Sequence, residues 1–199
     1  GLTVFHVVPN LAGALRAVEA GVDGLIVEGG EGGGFKNPKD VSTMVLVPQV
    51  VEAVDVPVVA AGGIMDGKTM AAAFALGAEG VLMGTRILSS AESPVHENWK
   101  QAILDTDATD TVFLNRKGPG PALRALRTAR STRIAAEGSP NIFGEFADTR
   151  KVYFEGDLEA GIALTGQVAG RIHEVKPVAQ ILDETMREYA AVVAGLPRG

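Results

Sequence analysis

The sequence predicts an α/β fold in which short parallel strands alternate with helices. Two observations support this fold class: four short apolar runs lie within residues 1–90, and segments with helical periodicity separate them. Strands that are apolar on both faces and joined by helices are typical of a parallel sheet covered by helices. The chain has 199 residues, of which 46% are hydrophobic, so it can bury one sizeable core.

The predicted elements follow in chain order. Strands are expected at residues 3–8, 25–27, 57–61 and 81–83. The first helix is predicted from the spacing of Leu11, Ala14, Leu15 and Val18. A second helix follows Ser42 and Thr43, with a buried stripe of Met44, Val47, Val51 and Val54, and a third, at 68–76, is capped by Asp66. The glycines Gly21 and Gly77 end the first and third helices.

The alternation of strands and helices stops after residue 89. Helices are expected at 96–104, 122–133, 158–172 and 178–193, with a short β-like stretch at 111–114. We therefore expect two parts: residues 1–90 with the parallel sheet, and residues 91–199 as a helical extension or cap. The predicted helix at 122–133 holds four arginines, which we interpret as a solvated face rather than a binding patch.

Composition excludes several classes of function. The net charge of −6 gives no electrostatic attraction to nucleic acid, and the absence of cysteine excludes disulfides and thiolate chemistry. The three histidines lack metal-ligand spacing, so no metal is expected. The sequence shows neither a signal segment nor an apolar run of about 18 residues, so a cytoplasmic protein without a membrane span is expected.

Glycine clusters follow three of the predicted strands. Gly62 and Gly63 end the third strand, Gly84 and Thr85 end the fourth, and 29–34 contains five glycines after the second. Glycine turns at strand ends let backbone N–H groups approach an anion, and they commonly form phosphate sites in α/β barrels.

These motifs resemble the nitronate monooxygenase family, formerly called 2-nitropropane dioxygenase. The resemblance rests on Glu-x-Gly-Gly, Ala-Ala-Gly-Gly-Ile and Leu-Gly-Ala-x-Gly-Val-x-Met-Gly-Thr-Arg, spans residues 3–104, and extends loosely to 166–170. It implies a (β/α)8 TIM barrel of which this chain holds the C-terminal four strands. The missing N-terminal half-barrel would lie on the same or another chain, and the isolated chain should bind its cofactor poorly.

The resemblance also implies an FMN cofactor. The residues expected to bind it are Glu28, Gly33, Gly34, Ala61, Gly62, Gly63, Gly84 and Thr85.

The chain departs from the family at the position of a candidate base. Many family members have histidine directly after the Glu-x-Gly-Gly turn, where this chain has Phe35. A phenyl ring cannot accept a proton, so the catalytic residue is unknown. His6 and Lys36 are weak candidates to replace it.

Three functions stay open at this point. The first is an FMN-dependent monooxygenase that oxidises alkyl nitronates with O2. The second is an FMN-dependent reductase of enoyl thioesters that uses NAD(P)H, and the third is a non-catalytic half-barrel that serves as the partner of another chain. An IMP-dehydrogenase-like barrel is disfavoured because that chemistry needs a cysteine. The expected partner is a small-molecule substrate, and a homo-oligomer is compatible with the sequence.

Overall fold

The computed structural model describes residues 1–197 and divides the chain into two compact units. The first, which we call the parallel-sheet unit, comprises Gly1–Gly30, Val41–Met83 and the C-terminal segment from Pro177. The second, the antiparallel-sheet unit, comprises Glu31–Asp40 and Gly84–Lys176. This division differs from the predicted boundary at residue 90, because both units are assembled from separated stretches of chain.

The strands and helices of the two units interleave along the chain. The strands are β1 (Phe5–Val8), β2 (Gly24–Glu28), β3 (Gly34–Lys36), β4 (Val58–Ala61), β5 (Gly80–Leu82), β6 (Thr111–Leu114) and β7 (Ala122–Leu126). The helices are α1 (Leu11–Glu19), α2 (Thr43–Val51), α3 (Gly67–Ala75), α4 (Thr85–Leu88), α5 (Glu97–Leu104), α6 (Ala129–Glu137) and α7 (Val178–Gly195). Short 3-10 turns occupy Gly144–Phe146 and Gln167–Arg171, and a π-helical turn occupies Lys151–Glu155.

The predicted parallel sheet is confirmed in the first unit. Its strands run in the order β1-β2-β4-β5, and each neighbouring pair is parallel. The two inner strands supply fully buried side chains such as Leu25, Val27 and Ala60. The edge strands are more exposed, with Val7 of β1 at 49% and Leu82 of β5 at 42%. The sheet is thus open at β1 and β5, and closure into an eight-stranded barrel stays a prediction.

The predicted helix caps are confirmed in part. The Asp66 side chain accepts a hydrogen bond from the Thr69 backbone N–H, and Thr69 reciprocates, which makes a capping box at the start of α3. Ser42 precedes α2 but makes no side-chain cap. The buried face of α2 is Thr43, Leu46, Val47 and Val50. The predicted stripe was therefore wrong for Met44, which is 62% exposed.

The last helix belongs to the parallel-sheet unit rather than to a separate cap. α7 packs along α3, where the Phe74 and Tyr189 rings meet edge to face at 5.3 Å. At Gly67 the helices approach so closely that a Cβ would overlap the Tyr189 backbone nitrogen. The Gly67 N–H also donates to the Glu188 carboxylate at 2.9 Å. None of the described helices, α7 included, is long and apolar enough to cross a membrane.

The antiparallel-sheet unit contains a three-stranded sheet that the sequence analysis did not predict. Its order is β3-β7-β6, with antiparallel pairing on both sides of β7. The prediction of one helix over 122–133 is wrong in its first half, since all five residues of β7 are buried and paired. The helix begins only at Ala129, after a capping box formed by Thr128 and Ser131. The predicted helix at 158–172 is reduced to the short turn at Gln167–Arg171.

The arginines of this region are neutralised by carboxylates. Arg130 and Arg133 both bind the Glu145 side chain, at 2.8 and 3.0 Å, and Arg127 lies 3.6 Å from Asp110. This pairing supports the interpretation of a charged face for Arg127, Arg130 and Arg133, because a site for an anionic polymer would leave its cations available. The interpretation is wrong for the fourth arginine, Arg124, which is 6% exposed on β7.

Candidate functional site

The residues expected to bind the cofactor are distributed over both units. Glu28, Ala61, Gly62 and Gly63 lie in the parallel-sheet unit, and Gly33, Gly34, Gly84 and Thr85 lie in the antiparallel-sheet unit.

In the parallel-sheet unit, the carboxyl ends of β2 and β4 meet. Glu28 and Ala61 are register partners, and the N–H of the following Gly29 donates to the Ala61 carbonyl at 3.1 Å. The Thr43 hydroxyl lies 3.2 Å from the Ala61 carbonyl oxygen and 2.9 Å from that of Gly62. The Thr43 hydroxyl hydrogen is therefore committed to the protein's own backbone.

Glycine at the end of β4 has a physical explanation. Gly62 and Gly63 have φ of +85° and +77°, in the left-handed region that disfavours any side chain. A Cβ on Gly62 would also come within 3.0 Å of the Gly29 carbonyl oxygen and 3.1 Å of the Thr43 hydroxyl. The turn holds its shape only with glycine.

In the antiparallel-sheet unit, the structure brings together three separate stretches of chain. A Cβ on Gly33 would lie 2.7 Å from the Thr165 carbonyl carbon and 2.8 Å from the Gly166 nitrogen. The Gly166 N–H donates to the Thr85 hydroxyl oxygen at 2.9 Å. The next N–H, of Gln167, donates to the Glu31 carbonyl at 2.8 Å. We call this assembly of Glu31–Gly34, Thr85 and Thr165–Gln167 the threonine cluster.

Two buried hydroxyl groups in the threonine cluster have a hydrogen for which the described residues provide no acceptor. Thr85 Oγ1 accepts the Gly166 N–H, which leaves the Thr85 hydroxyl hydrogen to be donated elsewhere. Thr165 is 1% exposed, and its hydroxyl has no hydrogen-bond partner among the described residues. A buried polar atom without a partner is costly, and a bound anion would remove that cost for a hydroxyl donor. Hydroxyl donors of this kind are compatible with an anionic group such as a phosphate.

Thr165 was not among the residues predicted from the sequence. It directly precedes the segment Gly166–Gly170, to which the resemblance extends loosely, and that adjacency was the available signal. Its position is fixed by backbone pairing with β7: the Thr165 N–H reaches the Arg124 carbonyl at 3.4 Å, and Leu164 bridges to Ala125.

Two buried titratable side chains support this segment. The Tyr153 hydroxyl accepts the Leu164 N–H at 2.8 Å. Burial raises the pKa of Tyr153, an effect that its hydrogen bond to the Leu164 backbone opposes. Burial likewise lowers the pKa of Arg124, and the nearby Asp40 carboxylate counteracts this. The Arg124 guanidinium donates to the Thr111 hydroxyl at 3.1 Å, which joins β7 to β6.

The structure places Phe35 and Lys36, which follow the Gly33–Gly34 turn, very differently. Phe35 on β3 is 53% exposed, and its ring lies beside those of Phe143 and Phe146. Lys36, a weak candidate for the catalytic residue, is buried at 5% exposure. Neither residue offers an exposed proton acceptor at the position where the family has histidine.

The remaining candidates lie elsewhere. His6 is exposed on the edge strand β1 of the parallel-sheet unit. His96 accepts the Asn98 N–H at 3.1 Å and thus caps α5, a structural role. Within residues 1–197, no group of three or more His, Asp or Glu side chains is arranged to hold a metal ion.

Comparison with known proteins identifies the family of this chain. The family model described as nitronate monooxygenase matches residues 1–188. One curated relative, a 5-hydroxy-7a-methyl-1-oxo-octahydro-1H-indene-4-carboxyl-CoA dehydrogenase from Rhodococcus jostii, is 46% identical over 147 residues, which cover 72% of this chain and 40% of the relative. A probable nitronate monooxygenase from Staphylococcus aureus is 46% identical over 108 residues, or 50% of this chain and 30% of that protein.

Two solved structures extend the likeness over nearly the whole chain. FabK from Thermotoga maritima has 42% identity and a TM-score of 0.89, with coverage of 98% of this chain and 63% of FabK. A nitroalkane oxidase from Streptomyces ansochromogenes has 28% identity and a TM-score of 0.84, with coverage of 99% of this chain and 60% of the oxidase. The chain thus spans less than two thirds of the length of each of these four proteins.

Proposed function

The chain belongs to the nitronate monooxygenase family, and on that premise we propose that it supplies the phosphate-binding part of an FMN-dependent oxidoreductase. The observation that carries the proposal is the threonine cluster, in which Gly33 makes room for the Thr165–Gly166 backbone and two buried hydroxyls can donate to an anion. When bound, FMN supplies reversible electron transfer between substrate and a second reactant.

The residues of each unit have distinct parts in this proposal. Thr85 and Thr165 donate hydrogen bonds to the phosphate. Gly33 makes room for the Thr165–Gly166 backbone, and Gly34 keeps the approach free of a side chain. The family resemblance further assigns Glu28, Ala61, Gly62, Gly63 and Gly84 to cofactor binding. A cofactor with a terminal phosphate, such as FMN, is favoured over a dinucleotide cofactor. The reason is that the sequence has no G-x-G-x-x-G fingerprint after a strand.

Nitronate oxidation is the first candidate reaction. A nitronate is already an anion, so its oxidation requires no proton abstraction, and O2 is reduced as the final electron acceptor. The absence of a titratable group at Phe35 is compatible with this chemistry. The family model and the nitroalkane oxidase likeness support it.

Oxidoreduction of an acyl thioester is the second candidate. It is favoured by the exposed phenyl ring of Phe35, which offers an apolar contact in place of an imidazole. The relative named as a carboxyl-CoA dehydrogenase supports it as well. In the reductive direction NAD(P)H is oxidised, and the carbon–carbon double bond of an enoyl thioester takes up the hydride equivalent and a proton.

The exposed edge strand β1 motivates a further part of the proposal. Phe5 is 43% exposed and Val7 is 49% exposed on a strand whose second edge has no pairing strand among the described residues. We propose that an N-terminal half-barrel, on the same or another chain, covers this edge and completes the flavin site. The isolated chain should therefore bind FMN weakly.

Purification of the natural full-length protein tests the proposal. We expect a yellow protein whose acid-released chromophore is FMN. We also expect it either to consume oxygen with alkyl nitronates or to oxidise NAD(P)H with enoyl thioesters. FAD, or no flavin after reconstitution with FMN, would refute the cofactor assignment. FMN retention without turnover of either substrate class would favour a non-catalytic partner.

A further inference from the structure

The chain enters the threonine cluster through Leu164, which is bridged to β7 by the backbone groups of its two neighbours. The Ala163 carbonyl accepts the Leu126 N–H at 2.8 Å. The Thr165 N–H reaches the Arg124 carbonyl at 3.4 Å, which is a long hydrogen bond. Consecutive residues of an extended segment direct their backbone groups to opposite sides, so the Leu164 N–H and C=O face away from β7.

The Tyr153 hydroxyl occupies that outer side. Its oxygen accepts the Leu164 N–H at 2.8 Å and donates a long hydrogen bond to the Leu164 carbonyl at 3.5 Å. Within residues 1–197, these two backbone groups have no other hydrogen-bond partner. One phenol thus completes the pairing that a further strand would otherwise provide.

Tyr153 is itself held at its backbone and at its ring. It lies in the π-helical turn Lys151–Glu155, a rare conformation that is often found at functional sites. Its carbonyl accepts the His96 N–H at 2.7 Å, and its ring centroid lies 6.1 Å from that of the fully buried Trp99. The hydroxyl therefore sits at the end of an immobilised side chain.

The direction of the Thr165 hydroxyl follows from this arrangement. The Leu164 C=O and the Thr165 N–H belong to one planar peptide group. The contacts of this group, to the Arg124 carbonyl at 3.4 Å and to the Tyr153 hydroxyl at 3.5 Å, are both long, so its orientation depends on both. Threonine is β-branched and has few rotamers about χ1, so its backbone orientation sets where its hydroxyl points.

Thr85, the other hydroxyl donor of the threonine cluster, is placed differently. It begins the four-residue helix α4, and its hydroxyl oxygen accepts the Gly166 N–H at 2.9 Å. Its position is thus set by α4 and by the peptide group that follows Thr165. Removal of the Tyr153 hydroxyl should therefore affect Thr165 and spare Thr85.

We propose that Tyr153 is a positioning residue for the cofactor phosphate: its hydroxyl orients the Leu164–Thr165 peptide group so that the Thr165 hydroxyl points at the phosphate. The inference rests on the proposed function and deepens it, because Tyr153 acts through Thr165 and needs no contact with the cofactor. Its contribution to flavin affinity is accordingly confined to flavins that carry a phosphate.

The experiment compares FMN with riboflavin, which lacks the phosphate, on the natural full-length apoprotein. Flavin fluorescence titration gives both dissociation constants for wild type, Tyr153→Phe, Thr165→Val and the double variant. A second cycle combines Tyr153→Phe with Thr85→Val. Tyr189→Phe is the matched control, because it also removes a tyrosine hydroxyl but lies on α7 in the parallel-sheet unit.

We expect Tyr153→Phe to weaken FMN binding by between about threefold and about tenfold, because it misdirects a hydrogen bond whose removal costs about tenfold or more. Riboflavin affinity should change by less than about twofold, since riboflavin has no phosphate for Thr165 to bind. The loss should disappear in the Thr165→Val background and persist in the Thr85→Val background, because only residues that act through one another are coupled. Tyr189→Phe should keep both wild-type affinities.

Three outcomes would overturn the proposal. The first is a Tyr153→Phe variant that binds FMN as tightly as wild type. The second is an equal loss for FMN and riboflavin, which would make Tyr153 a general structural support, and the third is a loss that persists undiminished in the Thr165→Val background. Wild-type FMN affinity in Thr165→Val would instead refute the phosphate assignment on which the proposed function rests.

Hydrogen exchange of the wild type provides a test that needs no variant. Coupling between two sites is reciprocal, so a phosphate whose binding depends on the Tyr153 contact must also stabilise that contact. At equal saturation, FMN should slow exchange of the Leu164 amide by about threefold or more relative to riboflavin. Equal exchange rates with the two flavins would overturn the proposal even if Tyr153→Phe fails to fold.

Discussion

The two glycine turns of this protein, at Gly33 and at Gly62, are glycine for different reasons. Gly62 has a φ of +85°, so its backbone conformation itself demands glycine. Gly33 lies outside the left-handed region, but a Cβ there would collide with the Thr165–Gly166 backbone at 2.7–2.8 Å. One turn is set by its own dihedral angles and the other by the packing of a distant segment.

The hydroxyl groups beside the two turns differ in the same way. Thr43, beside Gly62, directs its hydroxyl to the Ala61 and Gly62 carbonyls. Thr85 and Thr165, beside Gly33, have hydroxyl hydrogens for which the described residues provide no acceptor. Gly62 and Thr43 thus stabilise the end of the parallel sheet, whereas the threonine cluster is the part for which we propose hydrogen bonds to a ligand.

The largest expected effect comes from placing a charge at the parallel-sheet turn. The family resemblance assigns Gly63 to cofactor binding as well. Gly63→Asp should therefore weaken FMN binding by up to several hundredfold, because a carboxylate near a phosphate costs on the order of 1–4 kcal/mol. Flavin fluorescence titration of the full-length apoprotein measures the affinity. Gly21→Asp is the matched control, since Gly21 has a similar φ of +86° in the same unit and open space around it. FMN affinity equal to wild type in Gly63→Asp would show that the phosphate binds elsewhere.

Removing hydroxyls tests the contrast between the two sets of threonines. Thr85→Val and Thr165→Val should each weaken FMN binding by about tenfold or more, because a hydrogen bond to a charged group contributes about 1.5–3 kcal/mol. Thr43→Val should instead lower the free energy of unfolding by about 1 kcal/mol with little change in affinity. Calorimetric titration and urea unfolding of the three variants give both quantities. The contrast fails if Thr43→Val loses as much affinity as Thr165→Val.

Adding a methyl group distinguishes crowded glycines from open ones. Gly33→Ala should lower the free energy of unfolding by about 1–3 kcal/mol, because the Thr165–Gly166 backbone must move. Gly84→Ala should change it by less than about 0.5 kcal/mol, since no protein atom lies within 4 Å of the added Cβ. If Gly84→Ala binds FMN more weakly than wild type while its free energy of unfolding is unchanged, the ligand occupies the open space beside Gly84. Equal unfolding energies for both variants would contradict the packing explanation of Gly33.

The smallest expected effect concerns the alkaline stability of the segment behind the threonine cluster. Burial raises the pKa of Tyr153 above its unfolded value of about 10. The neutral phenol is thus favoured in the folded state. Its contribution to stability is complete below about pH 10 and is lost as the pH rises through the folded pKa.

Thermal unfolding between about pH 8 and 11 checks this expectation. Tyr153→Phe should lower the melting temperature at pH 8, through loss of the bond to the Leu164 N–H, and should flatten the alkaline decline. Tyr189→Phe, at the other tyrosine of the chain, is the control and should keep the wild-type decline. Identical alkaline profiles for the two variants would count against the role of Tyr153.

Local sequence patterns were enough to predict the parallel sheet and the family. Strand and helix periodicity are local properties, and the strands at Phe5–Val8, Gly24–Glu28, Val58–Ala61 and Gly80–Leu82 begin and end within two residues of the predicted ranges. The cap at Asp66 is equally local, because it acts over three residues. The motifs that carry the family resemblance are short and contiguous, so they were visible without a structure.

The antiparallel-sheet unit, in contrast, depends on contacts between distant segments. Ala122–Leu126 consists of residues with high helix propensity, yet it is a strand because β3 and β6 pair with both of its edges. The helix at Val178–Gly195 was predicted from its sequence, but its packing on α3 could not be predicted from the sequence. The burial of Lys36 and the unpartnered hydroxyl of Thr165 likewise arise from segments far away in the chain. Local pattern predicted the type of the elements around the parallel sheet. Long-range contacts decided the strand at Ala122–Leu126, and they also decide the partner of each element, its burial and therefore the surroundings of its polar atoms.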